Sequence, residues 1–116
     1  MLVQVKTDNH IEGNSRMQEW VRGEVEGTLE RFVPQLTRAE VYLSDVNSHK
    51  NAQVDKQCTL EVAVAGLPPI AVTKEAGTVE AALDAALDAM TLTLDSRLDK
   101  LQAKKGRIPM GGEPGI

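Results

Sequence analysis

Aromatic residues are nearly absent from this chain, which has one Trp, one Tyr and one Phe among its 116 residues. Proteins that bind single-stranded nucleic acid by base stacking need several aromatic side chains on one surface. Trp20, Phe32 and Tyr42 are too few to form such a surface. The single cysteine, Cys58, excludes an internal disulfide and suits a reducing compartment. Its place among alternating apolar residues favours a small core residue.

Long hydrophobic runs are also lacking. The first residues, MLVQVKT, contain no apolar core of the kind that a signal peptide needs, and no run approaches the length of a transmembrane helix. We therefore expect a cytoplasmic protein that does not bind membranes. A chain of 116 residues is long enough for one domain with a modest core and too short for two.

Positive charge is not in excess, because 13 Lys and Arg residues against 17 Asp and Glu residues give a net charge of -4. This balance excludes a protein that binds nucleic acid over its whole surface, so any such partner would have to meet a local basic patch. The sequence contains no pattern typical of a catalytic triad, a phosphate-binding loop or a zinc cluster. We therefore expect no enzymatic activity, no cofactor and no small-molecule substrate.

One segment resembles the start of a calcium-binding loop, with Asp45, Asn47 and His49 at alternate positions. Such a loop needs glycine at its sixth position and a glutamate at its end. This chain has Lys50 and Lys56 at those positions. A polar hairpin between two strands is the better explanation, and we expect no metal site.

The longest periodic stretch runs from Thr78 to Arg107 and predicts an amphipathic helix. Thr78 is a suitable N-cap and Gly106 a natural stop. The apolar stripe consists of Val79, Leu83, Ala86, Leu87, Met90, Leu94, Leu98 and Leu101.

The polar residues of this helix are sorted by charge. Lys105 and Arg107 extend the positive charge beyond the last turn. Basic residues at a helix C-terminus are ordinary, because they complement the helix dipole. They are also a candidate patch for phosphate groups, and the sequence alone leaves both explanations open. Asp84, Asp88, Asp95 and Asp99 lie on one flank, and Arg97, Lys100 and Lys104 lie on the other.

The remaining elements follow from alternation and capping signals. We predict a helix capped by Asn14 or Ser15, with Ser15 and Gln18 at capping-box spacing, that runs to about Phe32 and is ended by Pro34. Four strands with one apolar face each are predicted at Leu2–Lys6, Thr37–Asp45, Val54–Ala65 and Ile70–Thr73.

The order β-α-β-β-β-α predicts an α+β fold, a two-layer sandwich with a four-stranded sheet and two helices on one face. Residues 1–106 form a single domain in this prediction, and residues 107–116 form a flexible tail. The last helix, at roughly 26 residues, is about 39 Å long, whereas a strand of about eight residues spans about 27 Å. The last turns, with Lys100, Lys104 and Lys105, should therefore extend past the sheet.

Four motifs carry a resemblance to a known family. They are VYLSDVN (Val41–Asn47), DKQCTLEV (Asp55–Val62), GLPPIAV (Gly66–Val72) and, in the last helix, AALDAALD leading into SRLDKL. In this order and spacing they resemble the ribosome hibernation-promoting factors and ribosome-associated inhibitors, also known as sigma-factor modulation proteins. The resemblance covers residues 1 to about 105.

The resemblance implies the same β-α-β-β-β-α sandwich and a partner, the small ribosomal subunit with its rRNA. Similar proteins occupy the channel of messenger and transfer RNA and silence the ribosome. Longer relatives continue into a second, dimerising domain, so this chain resembles a short form that is a monomer when free. The RNA-binding residues that we infer on this basis are Arg97, Lys100, Lys104, Lys105 and Arg107, with Arg22, Arg31 and Arg38 as neighbours around the first helix.

The middle of the last helix departs from the family pattern. Relatives usually carry several basic residues there, whereas this chain has the segment Ala89–Thr93, with Leu92 opposite the apolar stripe. Beside the favoured function, a translation-silencing factor that binds ribosomal RNA through the basic end of this helix, the sequence therefore leaves one alternative open: a protein-interaction or regulatory module on the same fold with reduced RNA affinity. Leu92 and the acidic flank would then be the contact surface.

Overall fold

The computed structural model describes residues 1–8, 11–45 and 55–106, with side chains described as far as Lys100. The predicted α+β fold and its element order are confirmed. The elements are β1 (Leu2–Thr7), α1 (Ser15–Thr28), a 3₁₀ helix (Glu30–Gln35), β2 (Leu36–Asp45), β3 (Lys56–Val64), β4 (Ile70–Ala76) and α2 (Val79–Gly106).

The four strands form one sheet in the order β1-β2-β3-β4. β1 and β2 are parallel, and α1 supplies the crossover that a parallel pair needs. β2, β3 and β4 are antiparallel neighbours joined in sequence. Gly66, with a φ of 84°, turns the chain between β3 and β4, in a backbone conformation that favours glycine. β4 extends to Ala76, three residues beyond the predicted end at Thr73.

Both helices cover the same face of the sheet, as the single apolar face of each strand predicts. α1 packs mainly on β1, and α2 packs on β3 and β4. Each helix returns antiparallel to the strand before it, and β1 and β4 run in the same direction, so the two helices also run in the same direction. The core between the layers contains Val3, Ala39, Val41, Leu43, Cys58, Leu60, Val62 and Ile70 from the sheet, and Val21, Val25, Leu83, Ala86, Leu87, Met90 and Leu94 from the helices.

The N-terminus of α1 is capped by Asn14, whose Oδ1 accepts a hydrogen bond of 2.9 Å from the backbone N–H of Met17. The predicted capping box of Ser15 and Gln18 does not form. Instead, Nε2 of Gln18 donates to the carbonyl oxygen of Gly13 at 3.0 Å. The asparagine amide therefore satisfies one of the free N–H groups of the first turn.

The C-terminus of α1 lies earlier than predicted, at Thr28 rather than Phe32. The chain continues as the 3₁₀ helix, which contains Pro34. In this tighter geometry the N–H of Phe32 donates to the carbonyl oxygen of Leu29 at 2.9 Å. The Phe32 ring is thereby turned into the core, where it is only 4% exposed. The predicted single helix is thus two elements, and Arg31 lies on the second.

α2 is capped as predicted, since Oγ1 of Thr78 accepts a hydrogen bond of 3.0 Å from the N–H of Ala81. Its 28 residues correspond to about 42 Å, whereas the longest strand has 10 residues and spans about 34 Å. Among the described side chains of the helix, Leu94 is the last that is fully buried, and Leu98 is half-buried. The end of α2 therefore extends past the core, in agreement with the predicted overhang.

Two predicted segments lie outside the described residues, the polar hairpin at 46–53 and the tail at 107–116. The division into a domain of residues 1–106 and a flexible tail therefore remains a prediction. In the part of the chain that the structure describes, no helix is long and apolar enough to span a membrane.

Replacing the observed cap, Asn14→Ala, should lower the free energy of unfolding by about 1 kcal/mol, because an N–H of the first turn loses its partner. Ser15→Ala is the matched control, since Ser15 was the alternative cap. It should change the free energy of unfolding by less than about 0.5 kcal/mol. Urea denaturation followed by circular dichroism measures both. Equal losses in the two variants would show that the cap does not depend on Asn14.

Candidate nucleic-acid interface

The last turn of α2 whose side chains are described carries two cations, Arg97 and Lys100, which we call the basic end of α2. Both side chains are exposed, and neither forms an ion pair within the described residues. They follow Leu94, the last fully buried residue among the described side chains, on the stretch where the helix begins to leave the core and Leu98 is only half-buried. Of the other predicted residues, Lys104 and Lys105 lie in α2 without described side chains, and Arg107 lies outside the described residues.

Arg31 approaches the same end of the molecule from the 3₁₀ helix. Its Nη2 donates to Oδ2 of Asp95 at 2.9 Å, and the guanidinium carbon lies 4.3 Å from the centre of the Phe32 ring. The two charged side chains are 61% and 42% exposed, so this ion pair is screened by solvent. The contact places Arg31 beside Asp95 of α2, two residues before Arg97. The carboxylate of Asp95 offsets part of the electrostatic attraction of Arg31 for a phosphate.

The ion pair also affects both titrations. The hydrogen bond from Arg31 holds the pKa of Asp95 below its ordinary value, and the same bond raises the pKa of Arg31. A carboxylate with a lowered pKa stabilises the folded state at neutral pH. This contribution is lost as the pH falls through the lowered pKa, where Asp95 becomes protonated.

Arg38 and Arg22 do not lie at the basic end. Arg38 alternates with the buried Ala39 on β2, so it projects from the sheet face that the helices leave uncovered, rather than beside α1 as predicted. Its Nη1 is 3.6 Å from Oε1 of Glu40. Arg22 follows Trp20 by two residues, or about 200° around the helix. Because Trp20 lines a groove with Val79 of α2, Arg22 lies on the flank of α1 that faces away from α2.

The flank of α2 that faces α1 is acidic. Asp95 marks its direction, because it contacts Arg31 of the 3₁₀ helix. Asp84, Asp88 and Asp99 lie on the same flank at helical spacing and are exposed. Phosphate groups would be repelled along this flank. Any nucleic-acid contact that α2 made would therefore be confined to its basic end.

A groove of about 600 Å³ opens at the other end of the molecule, between the first turns of α1 and α2. Sequence reasoning did not find it, because it forms only where two distant helix starts lie side by side. Beside it, Nζ of Lys56 lies 2.9 Å from Oδ2 of Asp55 and 3.7 Å from Oδ2 of Asp45. The apolar part of its lining is Ile11, Met17, Trp20 and Val79.

The described residues offer no recognisable catalytic or metal centre. They contain no group of three or more His, Cys, Asp and Glu side chains placed to hold a metal ion. Cys58 is fully buried, as its pattern predicts, and burial raises the pKa of its thiol to about 12. A thiol with so high a pKa is not a nucleophile at neutral pH.

Comparison with known proteins establishes the family. The family described as Sigma 54 modulation protein / S30EA ribosomal protein matches residues 3–102. The chain belongs to this family. The resemblance found in the sequence motifs is therefore confirmed. The members of the S30EA family are ribosome-associated factors, and the family is not known as one of enzymes.

Two solved structures of other proteins have the same fold as this chain. The N-terminal domain of Protein Y from Thermus thermophilus superposes with a TM-score of 0.65 at 20% identity, covering 81% of this chain and 96% of that chain. A ribosomal subunit interface protein from Coxiella burnetii superposes with a TM-score of 0.59 at 16% identity, covering 89% and 99%. No curated protein sequence matches this chain.

Breaking the ion pair from the arginine side should change the titration of its partner. Arg31→Gln should raise the pKa of Asp95 towards its ordinary value, because the hydrogen bond that favours the carboxylate is lost. The control is Arg38→Gln, which removes the same charge from an arginine that contacts Glu40 instead. Carboxyl carbon chemical shifts followed against pH report Asp95 directly. A pKa of Asp95 that responds equally to both changes would contradict the pairing.

Proposed function

We propose that this protein silences translation by binding the small ribosomal subunit in the channel of messenger and transfer RNA. In this proposal the contact is to ribosomal RNA, through the basic end of α2. Membership of the S30EA family supports it. So does the likeness in fold to a protein described as a ribosomal subunit interface protein. The proposed location is the cytoplasm, where ribosomes are found.

The observation that carries the proposal is the position of Arg97 and Lys100. Both are exposed and free of ion pairs within the described residues, on a helix end that extends past the core. Such an end enters a narrow RNA-lined channel more easily than the broad face of the sandwich. Its guanidinium and ammonium groups neutralise backbone phosphates and do not read bases, so recognition depends on RNA shape and charge.

The acidic charge on the rest of the surface would orient the protein on the RNA. The net charge of the chain is -4, and Asp84, Asp88 and Asp99 line one flank of α2. An RNA surface repels these parts of the protein and attracts the basic end, so the long axis of α2 points towards the RNA. Lys104, Lys105 and Arg107, further along the chain, would add to the same charge. We propose that the protein is a monomer when free and binds no small-molecule substrate.

Reversing the charge of the basic end, with Arg97→Glu and Lys100→Glu together, should weaken binding to purified small subunits. It should also flatten the fall of log affinity with log salt, since each phosphate contact contributes a slope of about 0.7–0.9 on regular nucleic acids.

The control for charge reversal is the pair Arg16→Glu and Lys74→Glu. Arg16 lies at the start of α1 and Lys74 on β4, and both are exposed and far from the basic end. This pair changes the net charge by the same amount. If both double variants lose the same affinity, net charge alone explains binding and the proposed site is wrong.

Adding charge to the middle of α2 should have the opposite effect. Ala89→Lys with Leu92→Arg should tighten binding to small subunits and steepen its salt dependence, because both positions lie off the buried stripe and next to the basic end. Ala81→Lys with Ala85→Arg adds equal charge nearer the start of the helix and should tighten binding less. The same salt series measures both, and an equal gain from the two pairs would contradict an RNA contact at the end of α2.

A further inference from the structure

The outer face of α2 presents a large apolar side chain to solvent. Leu92 is 71% exposed, more than the other exposed large hydrophobic residues, Leu2, Val33 and Tyr42. It stands on a rigid element, because Met90 and Leu94 on the opposite side of the helix are fully buried. A single exposed leucine is ordinary, so its surroundings decide what it means.

Apart from the acidic flank, the residues that surround Leu92 on the outer face are short and uncharged. At helical spacing its neighbours on the outer face are Ala81, Ala85, Ala89 and Ser96. The hydroxyl groups of Thr91 and Thr93 donate to the carbonyl oxygens of Leu87 and Ala89, at 2.9 and 2.8 Å. These hydroxyls are thus already hydrogen-bonded within α2. The outer face is a smooth strip on which another helix can approach closely, with Leu92 as its one protruding side chain.

The charges beside this strip select the partner. Glu80, Asp84, Asp88 and Asp99 are exposed and have no ion pair within the described residues. They lie along one flank of the strip, and no acidic residue lies along the other. The flank repels RNA and attracts a cationic segment. An apolar strip beside a row of carboxylates is complementary to a helix with an apolar face and a basic flank.

We propose that the outer face of α2, centred on Leu92 and flanked by Asp84, Asp88 and Asp99, is a docking surface for a basic amphipathic helix of another protein. The apolar residues of that helix pack around Leu92 and against the alanines, and its Lys or Arg side chains reach the carboxylates. This surface does not use Arg97 or Lys100. The proposal is therefore independent of the contact with ribosomal RNA.

A second copy of this chain fits the surface poorly. The apolar face of its α1 is buried in the core through Val21 and Val25, so the helix that a second copy could offer is α2. Arg97 follows Leu92 by five residues, which places it about 140° around the helix. When two outer faces meet, Arg97 of one copy points away from the acidic flank of the other. The partner helix must carry several basic residues beside its apolar face. Among its described side chains α2 has one there, Lys100, which lies about 80° around the helix from Leu92.

The probe for this proposal is a synthetic amphipathic helix of Leu and Lys with about 18 residues, or five turns. The matching peptide of Leu and Glu is the charge control. The whole chain, labelled with nitrogen-15, is titrated with each peptide, and amide shifts give the site. We expect the Leu/Lys peptide to shift residues 80–99 of α2, and the Leu/Glu peptide to bind at least tenfold more weakly. Shifts centred elsewhere, such as on the groove at Trp20, would overturn the proposal.

Two pairs of variants separate this surface from nonspecific attraction. Leu92→Gln should weaken binding of the Leu/Lys peptide roughly tenfold or more, whereas Leu2→Gln, at a residue 59% exposed on the sheet, should not. The triple variant Asp84→Asn, Asp88→Asn, Asp99→Asn should weaken it more than Glu19→Gln, Glu26→Gln, Glu30→Gln, which removes equal charge from exposed positions of α1 and the 3₁₀ helix. An equal loss of affinity for the Leu/Lys peptide in both members of either pair would contradict the proposal.

Two further measurements identify other occupants of the surface. A dimer by light scattering that Leu92→Gln abolishes would make the occupant a second copy, and would overturn the proposed partner. Binding to purified small subunits should be unchanged by Leu92→Gln if the partner is another protein. A large loss of subunit binding in this variant would place the surface on the ribosome instead, and would also overturn it. Loss of subunit binding in the Arg97 and Lys100 variants tests only the ribosomal contact.

Discussion

The structure depends on the burial of one apolar stripe of α2 against β3 and β4. Each of Leu83, Met90 and Leu94 is fully buried, and a buried side chain of this size contributes about 1.5–3 kcal/mol. Several such residues at helical spacing fix the rotation of α2 about its axis. Every polar position of the helix then has a set direction, so the same packing that stabilises the fold also decides which charges face a partner.

Because α2 is longer than the sheet, different stretches of the helix are covered to different extents. With its rotation fixed, the helix therefore presents distinct surfaces along its length. Over the sheet, α2 has covered sides and one outer face, and its acidic flank is directed towards α1. Past Leu94 the helix is covered less, since Leu98 is only half-buried, and Arg97 and Lys100 are exposed. Asp95 lies at the boundary and pairs with Arg31. This pair is too exposed to contribute much stability, but it sets the position of a third cation beside the basic end.

Local patterns were sufficient to predict most of the fold, because alternation and helical spacing report directly on one-sided burial. The end of α1 was missed because it depends on how Phe32 enters the core, which no local signal shows. The pairing of Arg31 with Asp95 joins residues 64 positions apart and required the relative direction of the two helices. Arg38 is different, since alternation with Ala39 already placed it on the face away from the core. With both helices on the core face, it could not neighbour α1.

The sequence of α2 also explains how one fold can divide its surface between two kinds of partner. A helix that was basic along its whole length would offer RNA one continuous surface, and the position of Leu92 would face phosphates. Here the acidic flank makes such a contact unfavourable beside Leu92, while the free cations begin only at Arg97. In the two proposed contacts, charge separation along a single helix would confine RNA to its end and leave its outer face to a cationic protein segment. Neither use requires any change in the core, because both surfaces lie off the buried stripe.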